Sequence, residues 1–321
     1  MAVKVYFVLP CYNEEAVLPE TARRLTEKMD AMTAAGLIDP GSKFLLVDDG
    51  SKDRTWELIA GFADANPYCA GLRLAHNRGH QNALLAGLMA AKDRADCAIS
   101  LDADLQDDVD ALDRFIEKYN EGCDVVYGVR RGRDTDSLFK RFTARGFYKF
   151  MRALGADVIY DHADYRLMSK RALEALSEYR EVNLFLRGII PLIGYRSDYV
   201  YYDRFERFAG ESKYPLKKMI AFAVDGITSF SVRPLKMISN LGILISLLSV
   251  FGLLFVLISY FSGHTIPGWS TTVFTIWLLG GIQLLCVGVL GNYIGKIYNE
   301  VKARPRFRVE ETKGMDDEMT N

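Results

Sequence analysis

The sequence predicts an α/β domain on a mostly parallel sheet, followed by an interfacial helix and a two-helix transmembrane hairpin. Three observations predict it. Apolar, β-branched runs alternate with segments of helical period through the first part of the chain. Acidic or polar clusters sit at the ends of three of those runs, at Tyr12-Asn13-Glu14, Asp48-Asp49 and Asp102-Ala103-Asp104. No Asp, Glu, Lys or Arg occurs from Met237 to Gly295, a stretch that a soluble domain rarely leaves uncharged.

Val3–Leu9 reads as a buried strand, and Glu14–Ala35 as a helix with Val17, Leu18, Leu25 and Met29 on one side. Lys43–Val47 is a second strand, Asp53–Ala65 a helix and Ala70–Leu74 a third strand. Gln81–Lys92 is a helix of small residues able to pack closely on a sheet. Cys97–Leu101 is a fourth strand, Val109–Tyr119 a helix and Asp124–Val129 a fifth strand. Alternation of this kind implies a parallel sheet covered on both faces, with ligands bound beyond the carboxyl ends of the strands. The three clusters all fall at that rim.

The uncharged stretch divides into two apolar runs, about 237–261 and 272–293, each long enough to cross a hydrocarbon core as a helix. Arg233 and Lys236 precede them, and Lys296, Lys302, Arg304, Arg306 and Arg308 follow. The connecting loop has no Lys or Arg, so both flanks are expected on the cytoplasmic side. The domains expected are therefore residues 1–213 as a cytoplasmic catalytic domain, 214–234 as an amphipathic interfacial segment, 235–295 as the hairpin, and 296–321 as a tail, first basic and then acidic. Glu310–Asn321 is expected to be unstructured. A net charge of -1 gives no general attraction to nucleic acid. Five scattered cysteines and four histidines, with no CxxC or HExxH, argue against a disulfide framework or a zinc enzyme. Nothing near the N-terminus has the pattern of a signal peptide.

Asp102 and Asp104 flank a small residue directly after a strand, an arrangement suited to Mg²⁺ or Mn²⁺ and, through the ion, to a diphosphate. Asp49 and Glu14 are suited to accept hydrogen bonds from a base or ribose, and Tyr12 to stack on a base. Asp48-Asp49-Gly50-Ser51-Lys52-Asp53 also reads simply as a turn and helix cap.

Together, Pro10-Cys11-Tyr12-Asn13-Glu14, Val47 through Thr55 and Asp102 through Gln106 resemble the family 2 glycosyltransferases of GT-A fold. The likeness is closer to their polyprenyl-phosphate branch, which includes the dolichyl-phosphate mannose synthases and bactoprenol glucosyltransferases. It continues through Tyr165-Arg166-Leu167, Arg207 through Tyr214 and Gly291 through Tyr298, nearly the length of the chain. The resemblance implies that Pro10, Tyr12, Glu14, Val47 and Asp49 hold the nucleoside. It implies that Asp102, Ala103, Asp104 and Gln106 bind the donor, with Asp102, Asp104 and Gln106 gathering the metal. Arg130, Arg207 and Lys213 are then expected to meet phosphate charge, and Asp161, Asp164 and Arg166 to be the catalytic group. Where relatives often have Gly, this chain has Ala163 in Asp161-His162-Ala163-Asp164.

The activity implied is inverting transfer of a hexose from a nucleotide sugar to undecaprenyl or another polyprenyl phosphate. UDP-glucose and UDP-N-acetylglucosamine are the leading donors. The implied setting is the inner membrane, with both termini cytoplasmic, a homo-oligomeric assembly, and a flippase and second glycosyltransferase acting downstream. The alternatives are a non-catalytic membrane scaffold and a processive polysaccharide synthase. The second is disfavoured because the QxxRW element is absent.

Overall fold

A computed structural model describes residues 2–104, 106–130, 162–182, 184–203, 233–262 and 268–315. Asp161, Arg207, Lys213 and residues 214–232 of the interfacial segment lie outside these residues. The chain divides into two compact units. One holds the described residues up to Arg130, those of 162–203, and those from Arg304 onward. The other holds two long helices.

The first unit is an α/β domain. Its strands are β1 (Val5–Cys11), β2 (Lys43–Asp48), β3 (Cys69–Leu74), β4 (Cys97–Ser100), β5 (Val125–Arg130), β6 (His162–Ser169), β7 (Ser197–Tyr202) and β8 (Val309–Lys313). They form one sheet in the order β7-β5-β6-β4-β1-β2-β3-β8. β1 pairs in parallel with β2 and β4, β2 with β3, and β5 with β7. β6 and β8 run against their neighbours. The helices of this unit are α1 (Leu18–Ala34), α2 (Thr55–Ala65), α3 (His80–Lys92), α4 (Leu112–Asn120), α5 (Lys170–Glu178) and α6 (Leu186–Leu192).

Every residue of β1 is buried, as a central strand covered on both faces requires. Val5, Phe7 and Leu9 share a core with Leu18, Leu25 and Met29 of α1, Ile59 of α2 and Phe115 of α4. Each fully buried side chain of this size contributes about 1.5–3 kcal/mol. The opposite face carries α3. A Cβ on Gly87 would stand 2.3 Å from Val8 Cγ1 and 2.8 Å from Val47 Cγ2, so the helix rests directly on β1 and β2. α1 starts at Leu18 rather than Glu14. The Glu14 carbonyl receives the amides of Val17 and Leu18, and Pro19 occupies the first turn.

The tail departs from expectation. Val309–Lys313 is not loose but forms β8, antiparallel to β3. β3 would otherwise expose a row of unpaired backbone groups. A polar, partly charged strand suits that edge because its outer side remains in solvent.

The second unit comprises α7 (Arg233–Phe261) and α8 (Trp269–Lys302). Among the described residues, Leu279–Lys302 is long and apolar enough to cross a membrane, and Leu235–Ile245 is a shorter apolar stretch.

Candidate active site

The parallel strands deliver their carboxyl ends to one rim. β1 leads into Tyr12–Glu14, β2 ends at Asp48 with Asp49 next in the chain, β4 opens into the loop that carries Asp102, Asp104 and Asp107, and β5 ends at Arg130. β6 arrives from the opposite direction. Its register sets Arg166 against Ser100, so Asp164 falls beside the β4 exit at Asp102.

The first two exits are fastened to each other. Asn13 N donates to Ser51 Oγ at 3.0 Å, and Lys52 N returns a 2.9 Å bond to Asn13 Oδ1. Asn13 adopts φ 54°, a left-handed conformation that Asn tolerates. Glu14 N donates to Thr55 Oγ1 at 2.9 Å. Tyr12 is 42% exposed at this rim. Pro10 and Val47 are register partners in the sheet below, and both are buried. They shape the floor. Asp49 is buried, and its two oxygens accept the amides of Arg78 at 2.7 Å and Gly79 at 2.9 Å. It therefore ties the β3–α3 loop to β2.

That loop was overlooked in the sequence. It delivers His80, the first residue of α3, between two carboxylates. His80 Nε2 lies 3.5 Å from Asp164 Oδ2 and 3.8 Å from Asp102 Oδ1. Arg187 grips Asp164 from α6, and Gln81 Oε1 accepts Leu186 N at 2.9 Å, joining the starts of α3 and α6. Burial alone would lower the His80 pKa. The hydrogen bond to Asp164 and the charges of Asp102 and Asp164 outweigh it and raise the value. Burial would raise the pKa of Asp164, but His80 and Arg187 hold it far below the usual carboxylate range.

The loop after β4 is fixed from below and from the side. Thr21 Oγ1 donates to Ala103 O at 2.9 Å, and Gln106 N to Asp104 Oδ1 at 3.2 Å. Asp104 is buried, whereas the Asp102 side chain is 34% exposed. Asp107, also buried, accepts the Tyr202 hydroxyl at 2.8 Å. Arg130 Nε donates to the same hydroxyl at 3.2 Å, and its Nη2 stands 3.8 Å from Asp107 Oδ1. Arg130 is thus held beside the acidic loop by two residues that the sequence reading did not single out. Burial, and then the charge of Asp107, push Asp102 up to about 6.

Arg166 does not reach the rim. It is 2% exposed, with its guanidinium carbon 5.2 Å from the Tyr127 ring centroid. Among the described residues, its Nε and Nη2 have no hydrogen-bond partner. Among the described residues, no three His, Cys, Asp or Glu side chains are gathered as a cation cage. Two carboxylates and an amide at Asp102, Asp104 and Gln106 fit instead a hard divalent ion that completes its shell with water and phosphate oxygens. After burial, the charges of Asp107, Asp164 and Asp104 add to the rise in the Asp102 pKa, and that surplus of negative charge is of the sort such an ion relieves.

This fold and its acidic rim are those of a glycosyltransferase. The chain belongs to glycosyl transferase family 2, whose pattern it matches over residues 6–177. It is 55% identical over 303 residues to the uncharacterized glycosyltransferase YkoT of Bacillus subtilis, covering 94% of this chain and 90% of that one. It is 36% identical over 316 residues to a bactoprenol glucosyl transferase of Shigella phage SfX, covering 97% of this chain and all of that one (100%). A prophage bactoprenol glucosyl transferase homolog of Escherichia coli is 35% identical over 316 residues, with coverage of 97% and 100%.

Proposed function

We propose that the protein transfers glucose from a nucleotide sugar, UDP-glucose foremost, to a polyprenyl phosphate at a membrane surface, with inversion at the sugar. The observation that carries this reading is the acidic loop 102–107, set between the His80–Asp164–Arg187 cluster and Arg130 at a rim with the exposed Tyr12. Likeness to bactoprenol glucosyl transferases along nearly the whole chain supports the lipid acceptor.

In this reading, Tyr12 stacks on the nucleobase, and the joined loops of Asn13 and Ser51 seat the nucleoside. Asp102, Asp104 and Gln106 would hold Mg²⁺ or Mn²⁺, which would supply charge stabilisation to the departing diphosphate. An acceptor phosphate oxygen bonds to the anomeric carbon as the bond from that carbon to the diphosphate breaks, releasing the nucleoside diphosphate. Arg130 lowers the repulsion between the two phosphate groups. Asp164, held ionised by Arg187 and His80, is a weak proton acceptor. None is required, because a phosphate monoester loses its second proton near pH 6 (about 6 in general). Asp164 instead orients Arg187 and His80. Asp161 as a catalytic residue, and Arg207 and Lys213 as acceptor-phosphate ligands, lie outside the described residues and are proposed on the family resemblance alone.

Chain topology supports a membrane hairpin. β7 and β8 lie in one sheet, so a chain that leaves for the bilayer after Tyr202 must be back on the same side by Val309. That calls for an even number of crossings, and a hairpin of α7 and α8 would supply two. Phe251 and Leu284 are 68% and 75% exposed, as lipid-facing residues are.

The test is to incubate purified protein with undecaprenyl phosphate, Mg²⁺ or Mn²⁺ and a panel of nucleotide sugars, and to weigh the lipid products. A glucosyl-phosphate lipid from UDP-glucose is expected. No glycolipid from any donor, beside an active control enzyme, would sink the proposal.

A further inference from the structure

The strand that follows the last helix reaches toward the donor side of the sheet. Its register opposes Glu311 to Arg73 and Val309 to Leu74, leaving Glu310 at an irregularity in the ladder. Glu311 Oε2 accepts Trp56 Nε1 at 3.1 Å. Glu310 Oε2 lies 3.6 Å from Arg73 Nε, and the same nitrogen is 3.5 Å from Asp48 Oδ2. The Arg73 guanidinium carbon stands 5.8 Å from the Trp56 ring centroid.

Asp48 is fully buried, and among the described residues Arg73 is its ion-pair partner. An uncompensated carboxylate there would be costly. Among the described residues, Asp48 Oδ2 and Arg73 Nε make no hydrogen bond, so direct bonding does not lock the pair in place. On its outer side Arg73 meets Glu310 of β8 and the ring of Trp56, which β8 in turn fastens through Glu311. The other Asp48 oxygen accepts Ser51 N at 3.0 Å, and Ser51 Oγ in turn fastens Asn13 N at 3.0 Å. A continuous path therefore runs from Glu310 through Arg73, Asp48 and Ser51 to the loop bearing Tyr12 and Glu14.

We propose that Glu310 and Arg73 are positioning residues for the donor nucleotide. β8 holds Arg73, Arg73 compensates Asp48, and Asp48 fixes the paired loops that seat the nucleoside. The inference rests on the nucleotide-sugar reading above.

Calorimetric titration of UDP, with Mn²⁺, into the full-length detergent-solubilised protein tests it, alongside steady-state kinetics. Glu310→Gln is expected to weaken UDP binding about three- to fivefold, the upper range for a partly exposed ion pair. The donor KM should rise by the same factor while kcat holds. Glu27→Gln breaks an exposed ion pair on α1 that touches neither loop, and should bind as the parent does. Arg73→Gln alone would strand Asp48, so the second variant is the doubly neutral Asp48→Asn/Arg73→Gln, checked for folding by its melting curve. It should bind UDP more weakly still. Parental affinity in both variants, or a fall in kcat at constant donor KM, would overturn the inference alone. A parent protein that bound no nucleoside diphosphate would overturn the proposed function, and this inference with it.

Discussion

Arg187 holds Asp164 through two parallel hydrogen bonds, each 3.0 Å long, from Nε and Nη2 to the two carboxylate oxygens. This forked geometry keeps the carboxylate ionised and fixes its plane. It also joins α6 to β6, two elements whose proximity is purely tertiary. The pair is partly shielded, with side-chain exposures of 34% and 14%. Replacing Arg187 with Ala should cost about 1–3 kcal/mol, between the exposed and buried limits. Thermal melting of the purified protein should fall by several degrees, and glycosyl transfer with it. An unchanged melting temperature would show that the fork contributes nothing to stability.

His80 predicts a pH signature. Its pKa is raised in the folded protein by Asp164 and Asp102 against the effect of burial, so the folded state binds the proton more tightly than the unfolded chain does. The stability this provides is fully present below about pH 6.5 and fades as pH climbs through the raised value. The melting-temperature gap between the parent and His80→Gln should therefore be wider at pH 6 than at pH 9. A gap independent of pH would exclude a charged His80 as the link between the two carboxylates.

The proposed cation site makes a separate claim. Asp104→Ala should abolish transfer while the melting curve and membrane extraction stay close to those of the parent. Chelation should stop the parent enzyme, and added Mn²⁺ or Mg²⁺ should restore it. Near-normal turnover by Asp104→Ala would remove Asp104 from the metal site.

Gly87 links packing to the rim. Its missing side chain lets α3 lie against Val8 and Val47, and α3 carries His80. Both valines are buried and branched, so neither yields easily. Gly87→Ala should cost about 1–3 kcal/mol through overpacking, despite the better helix propensity of Ala. Its unfolding midpoint should fall; a rise would mean that the helix lifts without strain.

The parallel strands were legible because buried β-branched runs ending in Asp or Asn leave little ambiguity. Asp102 and Asp104 could be placed at the rim from strand position alone. His80 was missed, although the same rule that brings every strand-to-helix loop to that rim applied to Asn77-Arg78-Gly79-His80. Arg187 gave no such signal, since its partner Asp164 is 23 residues away and meets it only through the fold. Arg166 was placed among the catalytic residues by its neighbours in sequence. Strand alternation puts it on the same face as Asp164, but one register step deeper, where it is buried. The β8 segment misled for a different reason. Val309-Glu310-Glu311-Thr312-Lys313 has the composition of a solvated tail, and only an open edge at β3 turns it into a strand.

The place of β8 in the chain also sets an order of events during synthesis. Its partner β3 is complete at Leu74, yet β8 begins only at Val309, after both long helices. At ribosomal rates of about 5–20 residues per second, the β3 edge waits about 10–50 seconds for its neighbour. The nascent domain thus emerges with an unpaired strand, a template for association with other chains. It is sealed only once α7 and α8 have been made, so a pause in synthesis within those helices would show itself first as aggregation of the α/β domain.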